Sequence, residues 1–295
     1  PSPDLLDTIY QCQQRQEWYR GYAQTNRIEG HSFVGSCTLD TTALDAAEDM
    51  RRILSFSTED RGSTWSEAFR RLTENAEDSG ILVMVNGVVG NNTHRKLDPM
   101  EFRGFALVDP LAPVVFVNGA DTRAAQVFTL AHELAHIWLG QTGLDDIYPT
   151  RAATDSVERW CNDVAAEFLV PRADLSGDFL PEAPFTEELD RLARVFKVST
   201  LVIVRRLHET GFLTWKEYQA TYEAELARVL DLIGDSAGRG GNFYNTQPVR
   251  VSKLFARSVI ASTREGQTLH RDAFRMLGFK KLSTFNELSD RLGVT

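Results

Sequence analysis

Cysteine is scarce in this chain, with Cys12, Cys37 and Cys161 the only three among 295 residues. No C-x-x-C pair occurs, which excludes thiolate zinc knuckles and dithiol redox motifs. Each thiol is expected to be a small buried hydrophobe in a reducing cytoplasm. No apolar run approaches the roughly 20 residues that span a bilayer, and no signal-peptide pattern opens the chain, so no membrane role is expected. Excess positive charge is absent too: 32 Lys and Arg stand against 41 Asp and Glu, a net charge of −9. Phosphate neutralisation supplies most non-specific affinity for nucleic acid or anionic lipid, so this balance leaves room only for a local basic patch. Repeats and low-complexity tracts are missing. The start, PSPDLLD, has no initiator Met, the expectation for a piece of a longer protein. What remains is ordinary globular composition, 42% hydrophobic and 25% charged, long enough for one large domain or two of usual size.

Residues 132–136 read HELAH, an H-E-x-x-H match inside the apolar segment RAAQVFTLAHELAHIWLG. Two histidines four residues apart share one helix face and can grip one metal ion, and the Glu between them can take a proton from water. At about 100° per residue, Gln126, Thr129, His132, Glu133 and His136 form one polar stripe on an otherwise apolar helix. The five letters also arise by chance, and a His on a buried helix is more often a hydrogen-bonded core residue. The apolar surround, a cap at Asp121 or Thr122 and Gly140 at the far end favour a cleft-lining metal site.

Around this helix the periodicity predicts helices over 4–23, 41–54 and 64–78, then strands over 81–89, 102–108 and 114–118. DPLAP joins the last two strands as a hairpin. Between the first two lies the polar GNNTHRKLDPME, expected to be a solvated loop, with a substrate-side loop as the functional alternative. A helix over 157–170 ends at Pro171, residues 172–185 look like a linker, and helices follow near 186–196, 199–210 and 214–232. The 186–210 segment has helix–turn–helix rhythm, and acidity favours a packing element over a DNA reader. A Gly-rich break at 235–247 precedes helices over 249–292. The expected division is an N-terminal helical region 1–63, a central domain 64–233 and a small C-terminal helical lobe 248–295.

A catalytic zinc needs a third protein ligand. His31, His94, His208 and His270 are poorly placed in sequence. Glu158 and Asn162 share a helix face with Ala165, while Glu167 points elsewhere, so spacing gives a modest preference for Glu158. Its alternative is an ordinary salt-bridge partner.

The combination of FRGFALVDPLAPVVFVNGADTRAAQVFTLAHELAHIWLG with ERWCNDVAAEFLVP resembles the ImmA/IrrE family of metallopeptidases over roughly 64–220. The resemblance implies an α+β fold: mainly helical, with a small mixed sheet of about three strands beside the HELAH helix. It implies a zincin-like core with His132, His136 and Glu158 as metal ligands, Glu133 as general base and Asn162 behind the ligands. Cys161 departs from the usual Ala, a change that could shift the helix or confer oxidation sensitivity. Members often carry a DNA-binding domain ahead of the peptidase part, and none is evident here.

The implied chemistry is zinc-assisted hydrolysis of a peptide bond, with manganese compatible with the same donors. Tyr148, His208 and Tyr244 are oxyanion-stabilising candidates by residue type alone. Arg103, Gly104 and Phe105 are expected to contact substrate, a peptide strand adding to the edge of the 102–118 hairpin. The family implies a cytoplasmic protein substrate, a transcriptional repressor encoded nearby and cleaved as a switch in stress response or mobile-element control. Direct nucleic-acid binding by the chain is not expected. The rival expectation is a zinc-containing regulatory or toxin–antitoxin component that binds a partner without cutting it.

Overall fold

The computed structural model describes residues 1–144, 156–234 and 243–294. Helices α1 (Pro3–Thr25), α2 (Ala43–Leu54) and α3 (Trp65–Asp78) lead into strands β1 (Leu82–Asn86), β2 (Val88–Val89), β3 (Asn92–Lys96), β4 (Gly104–Leu107) and β5 (Val114–Asn118). The HELAH helix α4 (Arg123–Leu139), the short strand β6 (Gly143–Leu144) and helix α5 (Ser156–Leu169) follow. Helices α6 (Arg172–Asp178), α7 (Phe185–Phe196), α8 (Thr200–Glu209) and α9 (Trp215–Gly234) come next. Helices α10 (Phe243–Val251), α11 (Lys253–Arg264), α12 (His270–Leu277) and α13 (Leu282–Leu292) end the described chain. None of these helices is long and apolar enough to cross a membrane.

The main sheet has the order β1-β5-β4-β6. β1 runs parallel to β5, with Leu82 opposite Val114, and β4 runs antiparallel to β5, with Phe105 opposite Phe116. The expected hairpin is therefore present and the sheet is mixed. Both faces are covered, so the strands read as continuous apolar runs rather than alternating ones. Val83, Val85, Ala106, Val115 and Val117 face a core shared with α2, α3, α4, α5, α7 and α8. Leu82, Met84, Phe105, Val114 and Phe116 face a second core built with α1 and α11, where Phe255, Val259 and Ile260 are buried. Each such buried side chain contributes roughly 1.5–3 kcal/mol relative to exposure. Helices α10 and α11 thus pack directly on β1, and α11 also on α1, while α12 and α13 pack on α11. Glu77, at the end of α3, accepts hydrogen bonds from Ser252 Oγ and Leu254 N at the start of α11.

Several expectations change. The strand predicted over 81–89 breaks at Gly87, whose backbone meets Gly119 so closely that a Cβ there would lie 3.0 Å from Ala120 N. The polar segment after it is no loop: Asn92–Lys96 pairs antiparallel with β2. It carries no apolar alternation because its side chains are largely exposed. Arg95 fastens the hairpin to the start of α1 through Asp4 (2.6 Å) and Asp7 (2.7 Å), away from the metal helix. The predicted linker over 172–185 contains α6, which inserts Leu175 into the core, and α10 begins inside the predicted break at 235–247. On α1, where the helical pattern puts Leu5, Leu6, Ile9, Trp18, Tyr19 and Tyr22 on the apolar side, Leu6 is turned to solvent, while Leu5, Cys12 and Tyr19 are buried.

Candidate metal centre

Helix α4 is held at both ends. Thr122 caps its first turn, accepting from Ala125 N at 3.3 Å, and Gln126 donates to the carbonyls of Gly119 and Asp121. At its C-terminus, Gly35 N and Cys37 N donate to the carbonyls of Ile137 and Trp138 (3.0 and 2.9 Å). Gly140, in the left-handed region at φ +74°, lets this segment in, since a Cβ would meet Gly35 Cα at 2.9 Å. All five stripe residues are buried. Gln126 is used by the helix start, so the chemistry falls to His132, Glu133 and His136.

Helix α5 packs alongside α4 and brings Glu158 and Asn162 to the two histidines. His132 Nε2 and His136 Nε2 are 3.1 Å apart; Glu158 Oε2 lies 3.2 Å from the first and Oε1 3.3 Å from the second. Three donors held roughly 2.0–2.1 Å from a tetrahedral ion stand about 3.3 Å from one another. The two nitrogens and the nearest carboxylate oxygen of each approach that spacing, and one donor atom from each residue lies within 4.8 Å of the others, so the cluster can close on a divalent metal. Two imidazole lone pairs and a carboxylate converging in a buried site repel unless a proton or cation lies among them. His132 Nδ1 is 3.1 Å from Asn162 Oδ1, which can accept the Nδ1 proton and leave Nε2 facing the triangle. Burial raises the Glu158 carboxyl, but hydrogen bonds from His132 and His136 and their charge outweigh it and hold it at about 2.

Residues 76–208 match the peptidase family model described as the IrrE N-terminal-like domain, and residues 251–291 match a second, described as a domain of unknown function. No curated protein matches the chain. The first match takes in His132, Glu133, His136, Glu158 and Asn162, so the whole cluster lies in the stretch similar to that domain.

Within the IrrE-like domain, the residues expected at the substrate separate. Gly104 lies against α4: a Cβ there would meet Thr129 Cγ2 at 2.6 Å, Phe116 O at 2.8 Å and Glu133 Cγ at 3.1 Å. Only a glycine lets the helix this close, so Gly104 seats Glu133. Phe105, by strand alternation, points to the opposite face and stacks on Phe116 at 5.1 Å. Arg103 is partly exposed beside Asp121, 3.5 Å away. The β4 edge expected to receive a peptide is already taken at Phe105 and Ala106, which pair with Leu144 and Gly143 of β6.

Of the three oxyanion candidates, His208 is placed. His208 is stacked on Tyr218 at 4.9 Å, its Nδ1 2.9 Å from Leu213 O. Tyr148 lies outside the described residues, as do the segment 145–155 and the side chain of Tyr244. Glu167 binds Arg206 at 2.5 Å rather than the triangle. Cys161 is buried in the core, like Cys12 and Cys37. Burial pushes the Cys12 thiol up to about 12, so it stays protonated and inert.

Sequence reasoning missed two buried arginines that lock the domain. Arg61 donates to the carbonyls of Leu169, Phe168 and Phe196, closing the ends of α5 and α7. Arg206 binds Glu167, Glu209 and Val170 O, tying α8 to the end of α5. These bonds make the helix–turn–helix-like pair a packing element at this end. No periodicity marks such residues, because Arg is normally exposed.

Proposed function

We propose that the IrrE-like domain hydrolyses peptide bonds with a divalent metal held by His132, His136 and Glu158. The observation that carries this is the convergence of two imidazole nitrogens and the Glu158 carboxylate, one donor atom from each within 4.8 Å of the others, on the helix that carries Glu133. A metal in that place supplies Lewis-acid polarisation of a carbonyl oxygen and acidifies water. Zinc suits two imidazoles and a carboxylate, and manganese accepts the same set.

The chain's own residues supply the rest. Asn162 fixes the ring of His132 so that Nε2 faces inward. Glu158 remains ionised across the working pH range, so it brings a negative charge to the triangle. Glu133, next to His132 and seated by Gly104, receives a proton from the attacking water and delivers it to the departing amine. The substrate that suits this family is a protein, and we take a transcriptional repressor encoded nearby, cut as a regulatory switch, as the specific case.

The test is Glu133→Gln. Metal content, measured on the purified protein, should be retained, while cleavage of a neighbouring repressor followed by mass mapping should fall by about 10²–10⁴-fold. Undiminished cleavage sinks the mechanism. A stable complex with the repressor and no new chain ends from the wild type would favour the non-cleaving regulator instead.

A further inference from the structure

In the layer built on the second core, α1, the β2–β3 turn, α10 and the end of α12 line a cavity of about 130 Å³ with Gln11, Arg15, Asn91, Gln247, Arg250 and Arg275. Its described lining holds three arginines and no carboxylate, in a chain of net charge −9; of the three, Arg275 is largely exposed and pairs with Asp272 at 3.5 Å. Among the described residues, neither Arg15 nor Arg250 has an acidic partner. Arg15 reaches only Met84 Sδ at 3.6 Å, and Arg250 reaches the Asn91 side-chain oxygen at 3.3 Å. Burial pulls both guanidiniums below their ordinary value. A partly buried cation without a counter-charge is costly, and an anion bound beside it would offset that cost.

The cavity is built rather than incidental. Asn91 Nδ2 donates to Gly278 O and Gln247 Nε2 to Leu277 O, both at 2.7 Å. Gly278 sits at φ +75°, and a Cβ there would lie 2.5 Å from Asn91 Nδ2 and 2.9 Å from Gln247 Nε2. Gln247, a lining residue, is 1% exposed, and its Oε1 has no hydrogen-bond donor. Arginine's planar fork suits phosphate oxygens, and the lone acceptor suits a hydroxyl. A larger cavity of about 760 Å³ between α1 and α12 shares Gln11, Arg15 and Arg275 and reaches Trp18. It leaves room for the remainder of a small molecule.

We propose that this pocket binds the phosphate group of a small, hydroxyl-bearing phosphorylated metabolite. Arg15 and Arg250 neutralise the phosphate, Arg275 adds positive charge at the exposed rim, and Gln247 accepts a hydroxyl proton. The site joins the peptidase-matching stretch, through Asn91, to the matched segment 251–291, through Arg275 and Gly278.

The test is calorimetric titration of the full chain with inorganic phosphate and with ADP at fixed ionic strength. Saturable binding of phosphate and tighter binding of ADP are expected. Arg15→Gln and Arg250→Gln should each weaken both by about 10-fold or more, the value of one charged hydrogen bond. Without ligand, neither variant should lower the denaturation midpoint, because no carboxylate loses its partner. In the wild type, phosphate should raise the melting temperature and slow amide exchange around Gly90–Asn92 and Gly278. No saturable binding of either probe overturns the proposal, as does binding indifferent to both substitutions. Variants that unfold without ligand would make the arginines structural, and binding of single-stranded RNA but of neither probe would assign the patch to a polymer; each also overturns it.

Discussion

Two side chains beside the triangle have effects that differ in kind. Gly104 needs no unusual backbone angle; it needs space, because Thr129 and Phe116 O occupy the place of a Cβ. Gly104→Ala should therefore cost about 1–3 kcal/mol by overpacking, read from denaturant unfolding. It should also cut proteolysis by on the order of 10²-fold, since a displacement near 1 Å of a catalytic group has that price. A variant that keeps full activity would show that the contact between β4 and α4 does not position Glu133. Asn162 acts through its bond to His132 Nδ1 instead. Asn162→Ala should lower metal affinity about 10- to 100-fold in competition with a chromogenic chelator, while Asn162→Asp, which still accepts the proton, should restore most of it. Unchanged affinity in the alanine variant would remove Asn162 from the metal site.

Among the secondary-structure elements, buried arginine outweighs exposed ion pairs. Arg61 is buried and satisfies carbonyls at the ends of both α5 and α7. Burial, with the charge of Arg51, lowers it to about 9, so it is still cationic at neutral pH. Arg61→Met leaves those carbonyls without a donor and should destabilise by about 2–5 kcal/mol. Arg52→Met, which breaks an exposed pair with Asp49, should cost under about 1 kcal/mol. Equal midpoints for the two variants in urea would refute the capping role.

The same contrast explains what could be read from the letters. The helix carrying HELAH was legible with both of its caps, because Thr122 and Gly140 act locally and the apolar surround fixes its burial. β5 was legible to the residue, since a run buried on both faces is unbroken by polar positions. Glu158 was only modestly favoured, because its place depends on how α5 lies against α4. β3 was missed because its stability comes from backbone pairing and from Arg95 on α1, neither of which leaves an apolar pattern. The arginine pocket draws on α1, α10 and α12, more than 200 residues apart at the extremes, so no local window contains it.

For the molecule as a whole, one buried carboxyl links the sheet's two helical layers. Glu77 ends α3, on the metal-site side, and receives Ser252 Oγ and Leu254 N from α11, on the other. Lys253 is close by but pairs with Glu74 at 2.9 Å. Burial raises the Glu77 carboxyl from 4.5 to about 7, more than the hydrogen bonds and Lys253 lower it. The folded state therefore holds this proton more tightly than the unfolded chain. Its contribution to stability is full below pH 4.5 and is lost as the pH rises to about 7. The change is on the order of 3 kcal/mol. Glu77→Gln keeps the shape without the charge, so the variant should gain stability relative to the wild type between pH 5 and pH 8. Urea unfolding of both proteins in a chelator, compared at each pH, isolates this term from the histidines, which the two share. A wild-type-minus-variant difference that stays flat across that window would show that Glu77 does not carry a raised proton affinity. The joint between α3 and α11 would then rest on apolar packing alone.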